Sequence, residues 1–415
     1  MPPAKGKGNG KTKGKGKGNS KKTKSRAPDP TCNCIFPREI ISNILSRLPV
    51  NSLLRFRCVC KPWRNLISKP NFIAAHFSHS SALQRSGSSI LLHTRHYETS
   101  DHVVSLYNPL EESVVELDSP HPCFFPHTVV LGPINGIVCL FQKASGDVIT
   151  LWNPAMRQSK MVPLLGNKPD KRMYCWVSIG LAFDPQENDI LILRIFCVAP
   201  SSTVPNHVEM YSTKSFRWKK LKCDLVCNII SYTCLAIVKG VPYWLALITD
   251  EFGLRTVLVR FDVGKKVLEK LPMPGIGEMV HQRFVAIDDS IGLLTREERD
   301  ECYISVWVMD EEDGWSKKCK VGPIFGFDRI VGCLRNGDIV VENENGLLLF
   351  DPVTSSVKAK LSVDNAEKGS YEISNYLESL LLIGGMLPVK KQAKDKLARQ
   401  NLIRDCLDFV ETSLS

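Results

Sequence analysis

The sequence predicts an α+β multidomain chain: a short N-terminal module of three helices, then a mainly-β, propeller-like domain of about six blades, with a helix at the C-terminal end. Three observations carry this. Apolar residues recur at helical spacing from Ile35 to about Phe77. An aromatic residue then closes a short strand-like run six times, at Tyr107, Trp152, Tyr211, Phe261, Trp307 and Phe350, at intervals of 43 to 59 residues. Near the end, Ala393, Leu397, Leu407, Val410 and Leu414 share one helical face.

The first 33 residues are a separate case. Residues 1–26 hold nine Lys and one Arg and no acidic residue, and Lys alternates with Gly from Lys13 to Gly18. Like charges repel and nothing apolar is available to bury, so 1–33 is expected to be a disordered basic tail. Lys21-Lys22-Thr23-Lys24-Ser25-Arg26 also reads as a nuclear-import or RNA-contacting arm. Gly10-Lys11-Thr12 is not a phosphate loop, because Lys5 stands where the first Gly belongs and no strand precedes it. The tail accounts for nearly all of the +11 net charge, so the folded part is close to neutral and a general nucleic-acid surface is not expected there. No apolar run reaches the ~18 residues a membrane span needs, and no secretory signal is expected. The 15 Cys are read as reduced thiols of the nucleus or cytoplasm, most of them small buried hydrophobes.

The helical module follows at 34–78. Ile40, Ile41, Ile44, Leu45 and Leu48 form the first stripe, with Pro37 in the opening turn and Pro49 ending the helix. Ser52 reads as the N-cap of a second helix carrying Leu53, Phe56 and Val59. Pro62 opens a third with Trp63, Leu66 and Ile67, and a short fourth stretch sets Phe72, Ile73, His76 and Phe77 on one side. Three short helices cannot bury so many large side chains. The surplus is covered either by the downstream domain or by a partner.

From 88 to 385 the pattern is β. Turn residues follow most of the six aromatics, as in Asn108-Pro109, Asn153-Pro154, Asp262, Asp310 and Asp351-Pro352. Another strand follows each turn, and two precede each aromatic, as in Ile137–Phe141 and Val148–Trp152. Four strands per roughly 45–50 residues is the arithmetic of a propeller blade. The aromatics are then expected in the core at blade contacts. The long third interval implies a surface loop near Ala199–Asn206. Over 388–415, Lys390, Lys391, Lys394, Lys396 and Arg399 crowd the start of the amphipathic helix, which either docks on the ring or waits for a partner.

Catalytic constellations are missing from the sequence. There is no Gly-x-Ser-x-Gly elbow, and His93 with His96, or His76 with His79, lacks supporting ligands. No catalytic residue, cofactor or metal site is assigned.

Phe36 to Val50 resembles the first half of an F-box, and Leu53 to Ile67 its second half in plant form. Asn135-Gly136-Ile137-Val138-Cys139-Leu140, Trp152-Asn153-Pro154, Gly180-Leu181-Ala182-Phe183-Asp184-Pro185, Gly240-Val241-Pro242-Tyr243-Trp244 and Tyr376-Leu377-Glu378-Ser379-Leu380 resemble the F-box-associated domain of plant F-box proteins. Kelch blades would carry paired glycines, and Gly384-Gly385 is the sole pair. The resemblance implies a non-catalytic substrate receptor of a Skp–cullin–F-box ubiquitin ligase. Its partners would be a Skp-family adaptor, through it a cullin, and a target protein held by the propeller. By position, Pro37, Ile41, Ile44, Leu48, Pro49, Leu53, Val59 and Trp63 are the adaptor-contact candidates, some of which must instead hold the helices together. The competing reading is a propeller module that binds a glycan, RNA or small ligand without ligase activity.

Overall fold

A computed structural model of the chain describes residues 36–83, 89–95, 102–109, 111–120, 128–142, 148–163, 174–198, 204–251, 253–275, 282–296, 302–363 and 366–389. The basic tail lies outside these residues, as do all of the expected C-terminal helix after 389 and most of the loop expected at 199–206.

Four helices come first: α1 (Arg38–Leu45), α2 (Val50–Phe56), α3 (Lys61–Ile67) and α4 (Pro70–Leu83). Pro37 and Pro49 each stand just before a helix, where a missing N–H costs nothing. The N-cap expected at Ser52 is not there: α2 already begins at Val50, and Ser52 lies in its first turn. The chain enters α2 through Pro49, which is its N-cap residue at φ −57° and ψ 152°, with no side-chain cap hydrogen bond. The Val50 N–H is directed at the Glu378 carboxyl, from the far end of the chain. The fourth stretch is longer than expected, and its face is as read: Phe72 and His76 are buried, Ile73 and Phe77 half-buried.

Six antiparallel sheets follow. The second blade holds Thr128–Ile134, Ile137–Gln142, Ile149–Asn153 and Gln158–Met161, with Leu387–Pro388 added outside. The third holds Trp176–Asp184, Asp189–Cys197, His207–Ser212 and Arg217–Leu221. In the fourth, the inner strand is broken into Asn228–Ile229 and Ala236–Val238, ahead of Val241–Asp250, Gly253–Asp262 and Val267–Leu271. The fifth runs Gln282–Ile287, Ser290–Arg296, Ile304–Met309 and Trp315–Val321, and the sixth Arg329–Cys333, Ile339–Asn343, Gly346–Asp351 and Ser356–Leu361. The first blade is composite. Ser89–Arg95, His102–Asn108 and Ser113–Glu116 take their innermost strand, Glu372–Tyr376, from the end of the domain, with Ser89 opposite Tyr376 and His93 opposite Glu372. That pairing closes the ring and removes its two open ends.

All six recurring aromatics stand on the third strand of their blade. Tyr107, Trp152, Tyr211, Phe261 and Phe350 are buried, and Trp307 is half-buried. The turns after them share one construction. Asn153, Asp262, Asp310 and Asp351 each accept backbone N–H bonds within the turn, from Met156 at 3.0 Å, Lys265 at 2.8 Å, Gly314 at 2.7 Å and Val353 at 2.8 Å. Glu112, Arg157, Phe216, Lys266, Asp313 and Ser355 follow in the left-handed region, with φ between 49° and 60°. The blades pack closely: a Cβ on Gly180 would meet the Trp244 ring at 2.2 Å. The expectation that most thiols are buried is not met among the described residues: Cys139, Cys197, Cys227 and Cys234 are buried, Cys60, Cys223, Cys302 and Cys333 half-buried, and Cys58, Cys175 and Cys319 exposed. Cys319 sits on the outer strand of a blade, where one face has nothing to pack against.

Candidate functional site

Residues that stand far apart in the sequence meet beneath the helices. Asn153 is wholly buried, and its Nδ2 donates to the carbonyls of Ser379 (2.9 Å) and Leu381 (2.7 Å). The Tyr376 hydroxyl accepts the Ala155 N–H at 3.1 Å. Gly136, at φ +77°, has no room for a side chain, because a Cβ there would stand 2.4 Å from Ser379 Cβ. These contacts build a rigid seat. Met156 and Leu380 rise from it into one core with Leu45, Val50, Leu53, Ile67 and Phe72 of the helices. Burial raises the Glu378 carboxyl above its ordinary value, opposed by the Val50 N–H it holds.

His76 closes the module from above. Its Nε2 donates to the Leu48 carbonyl at 2.9 Å, tying α4 to the turn between α1 and α2. Burial lowers its pKa, partly offset by the Leu48 hydrogen bond and reinforced by the charge of nearby His79. The ring is therefore a neutral donor at physiological pH.

The eight candidates separate into three groups. Leu53 is 0% exposed and belongs to the internal core. Ile41, Leu48 and Trp63 are half-buried against that core, and Trp63 meets Phe56 edge-on at 5.4 Å between ring centroids. Pro37, Ile44, Pro49 and Val59 stand open, with Ile44 at 52% and Val59 at 63% exposure. Two more open residues were missed, Phe36 at 58% and Ile40 at 46%. Part of their signal was available: Ile40 and Ile44 stand four residues apart and share one face of α1, whereas Phe36 precedes the helix. Most seat residues stand in the runs Asn135–Leu140, Trp152–Pro154 and Tyr376–Leu380 that carried the resemblance, but no spacing within those runs says that they meet.

A cavity of about 780 Å³ follows the axis of the ring. The hairpins that follow the inner strands touch the next blade on one face: Gly240 against Phe183 and Lys239 with Asp289 at 3.0 Å, while Lys266 of the fourth blade's outer hairpin reaches Asp184 at 2.6 Å. The helices sit on this face. Arg335 donates to Ser81 of α4 at 2.9 Å, and Phe77 lines the cavity mouth. At the opposite mouth the inner strands begin, and Arg283 and Glu372 converge there with His93. His93 bridges Glu372 (3.4 Å) and His102 (3.0 Å). Burial pushes the Glu372 carboxyl up, but the His93 hydrogen bond and the charges of His93, Arg283 and Arg329 outweigh it and leave the net shift downward. Burial pulls the Arg283 guanidinium down, with Glu372 opposing and Arg329 adding to the shift. This mouth can offer a cationic donor and an acceptor side by side. Among the described residues, no group of three or more His, Cys, Asp or Glu is placed to hold a metal ion.

Comparison with known proteins agrees with this geometry. Residues 109–376 match the family model of the F-box associated beta propeller domain, and residues 34–74 that of the F-box domain. An F-box/kelch-repeat protein of Arabidopsis thaliana is 26% identical over 366 residues, covering 83% of this chain and 95% of the relative. The F-box protein CPR1 of the same plant is 25% identical over 406 residues, covering 88% and 93%. Among solved structures, TolB from Acinetobacter baumannii matches with a TM-score of 0.38 and 12% identity over 69% of this chain and 68% of that one, a likeness that adds nothing to the blade count.

Proposed function

Since the chain belongs to the F-box proteins that carry an F-box-associated β-propeller domain, we propose that it is the substrate-recognition subunit of a Skp–cullin–F-box type ubiquitin ligase. F-box proteins of this kind are in general receptors in such complexes, with the F-box on the Skp-family adaptor. One observation carries the reading for this chain: the module is buried on its inner side against the propeller and left bare on its outer side. Phe36, Ile40, Ile44 and Val59 are large apolar groups left exposed among the described residues, as a helix-in-groove contact requires.

The receptor acts by proximity. Covalent chemistry is left to a conjugating enzyme, and the receptor raises the local concentration of target lysines near it. That role needs two binding faces at a fixed separation. The seat built by Asn153, Ser379, Glu378 and Leu380 supplies the rigidity. With the helices on the hairpin face, the target takes the opposite mouth, where Arg283, Glu372 and His93 converge. The assignment to nucleus or cytoplasm is part of the same proposal.

The test is capture with a purified Skp-family adaptor. Ile44→Asp and Ile40→Asp sit on exposed positions, so they leave folding intact and lower adaptor affinity by about tenfold or more. Equal recovery of adaptor by wild type and both variants would sink the ligase reading. It would leave the glycan, RNA or small-ligand module standing.

A further inference from the structure

The outer strand of the first blade differs from those of its neighbours. The third, fifth and sixth blades end on strands with Lys219 and Lys220, with Lys317, Lys318 and Lys320, and with Lys358 and Lys360. Charged edges of this kind oppose pairing with another chain. The fourth blade ends with Glu269 and Lys270. The second is covered by Leu387–Pro388. The first ends on Ser113–Glu116, where Val114 is 38% and Val115 56% exposed. These two valines point to opposite faces of the sheet, so both faces of the edge are apolar and open. Leu117 donates its N–H inward to Val104 at 2.8 Å, so by alternation Val114 and Glu116 turn their backbone groups outward.

The edge is also acidic. Glu111, Glu112, Glu116 and Asp118 are exposed around it, with no Lys or Arg among residues 111–118. Among the described residues, Glu112, Glu116 and Asp118 have no ion-pair partner.

The last described residue of the chain packs at the junction of the first and second blades. Val389 donates its N–H to Arg157 at 2.9 Å and packs with Leu106 and Leu117 on the cluster of Leu91, Val104, Val138, Leu140, Trp152 and Tyr376. Leu117 is the residue directly after the open strand. The next ten residues, Lys390 to Arg399, carry Lys390, Lys391, Lys394, Lys396 and Arg399 against the single Asp395, with Ala393 and Leu397 between them.

We propose that residues 390–399 dock along the outer edge of the first blade, covering Val114 and Val115 and setting their cations against Glu112, Glu116 and Asp118. Reach is not limiting. Ten extended residues span about 33 Å, and a four-residue strand is about 13 Å long. The segment would seal the one apolar edge that the neighbouring blades avoid or cover.

Hydrogen exchange read by mass spectrometry tests this on the full chain and on a chain ending at Val389. Amides of residues 111–118 exchange about tenfold faster in the shortened chain, while those of Ser356–Leu361 are unchanged. Full-length Glu112→Lys/Glu116→Lys reproduces the loss, and adding Lys394→Glu/Lys396→Glu restores protection. The proposal is overturned by equal exchange at 111–118 in both chains at low salt. It is overturned equally by protection that grows with protein concentration, which would mean that a second copy covers the edge.

Discussion

Trp152 and Ile44 each stand in a run of large apolar residues set at the spacing of its own secondary structure. Trp152 is buried where the second blade meets the first, among Leu91, Val104 and Tyr376. Ile44 stands open on α1. The propeller can bury such residues because every blade has a neighbour on both sides, and the strand Glu372–Tyr376 makes this true of the first blade as well. The helical module has a neighbour on one side only. Its inner residues find Met156 and Leu380, and its outer ones find water. Apolar residues thus serve stability in one region and remain available for binding in the other, and the number of covered faces makes the difference.

Truncation gives the sharpest test of that contrast. Trp152→Ala is expected to cost about 3–5 kcal/mol, measured by denaturant unfolding, because it opens a cavity between two blades. Leu53→Ala costs about 2–5 kcal/mol for the same reason within the module. Ile44→Ala, one helix away, stays within about 0.5 kcal/mol of wild type while weakening adaptor binding. If Leu53→Ala and Ile44→Ala were equally destabilising, the two-sided description of the module would fail.

Acid breaks the same comparison more gently. His76 is buried, and its pKa is lowered from an ordinary value of 6.5. The unfolded chain therefore takes up this proton first as pH falls. The contribution of His76 is intact above about pH 6.5, shrinks below it, and levels off beneath the lowered folded value. Near-neutral titration followed by limited proteolysis should release the helices before the propeller opens, and His76→Phe should remove that pH dependence.

The smallest effect belongs to the turns. Ser355 has φ 52°, a conformation that costs a side chain more than it costs Gly. Ser355→Gly should stabilise the propeller by about 0.5–1 kcal/mol and leave adaptor binding untouched, since it acts on the region that is already closed. A loss of stability there would show that Ser355 makes contacts worth more than the relief of its backbone.

Elements whose signal is local were legible. Phe72 and His76 shared a face as their spacing indicated, and the six aromatics marked third strands because each blade repeats the same hairpin chemistry after them. Of the candidates, Pro37, Ile44, Pro49 and Val59 are exposed, but Leu53 could not be told from Ile44. Both are large apolar residues on amphipathic helices, and only the position of the propeller says which way each one faces. The start of α2 was misplaced for a related reason. Its N-cap residue is Pro49, and the Val50 N–H turns toward Glu378, a neighbour that no pattern around Ser52 announces.

The sequence by itself determined the order of parts, the helical spacing of the module and a blade count of about six, because helical spacing and a period of roughly 45–50 residues are properties of neighbours along the chain. Tertiary structure alone decided the composite first blade, the seat that joins Asn153 to Ser379, the rim taken by the helices and the rim left open. Each of these depends on two segments meeting after ring closure, and their energies arise from packing and hydrogen bonds between residues that share no local pattern.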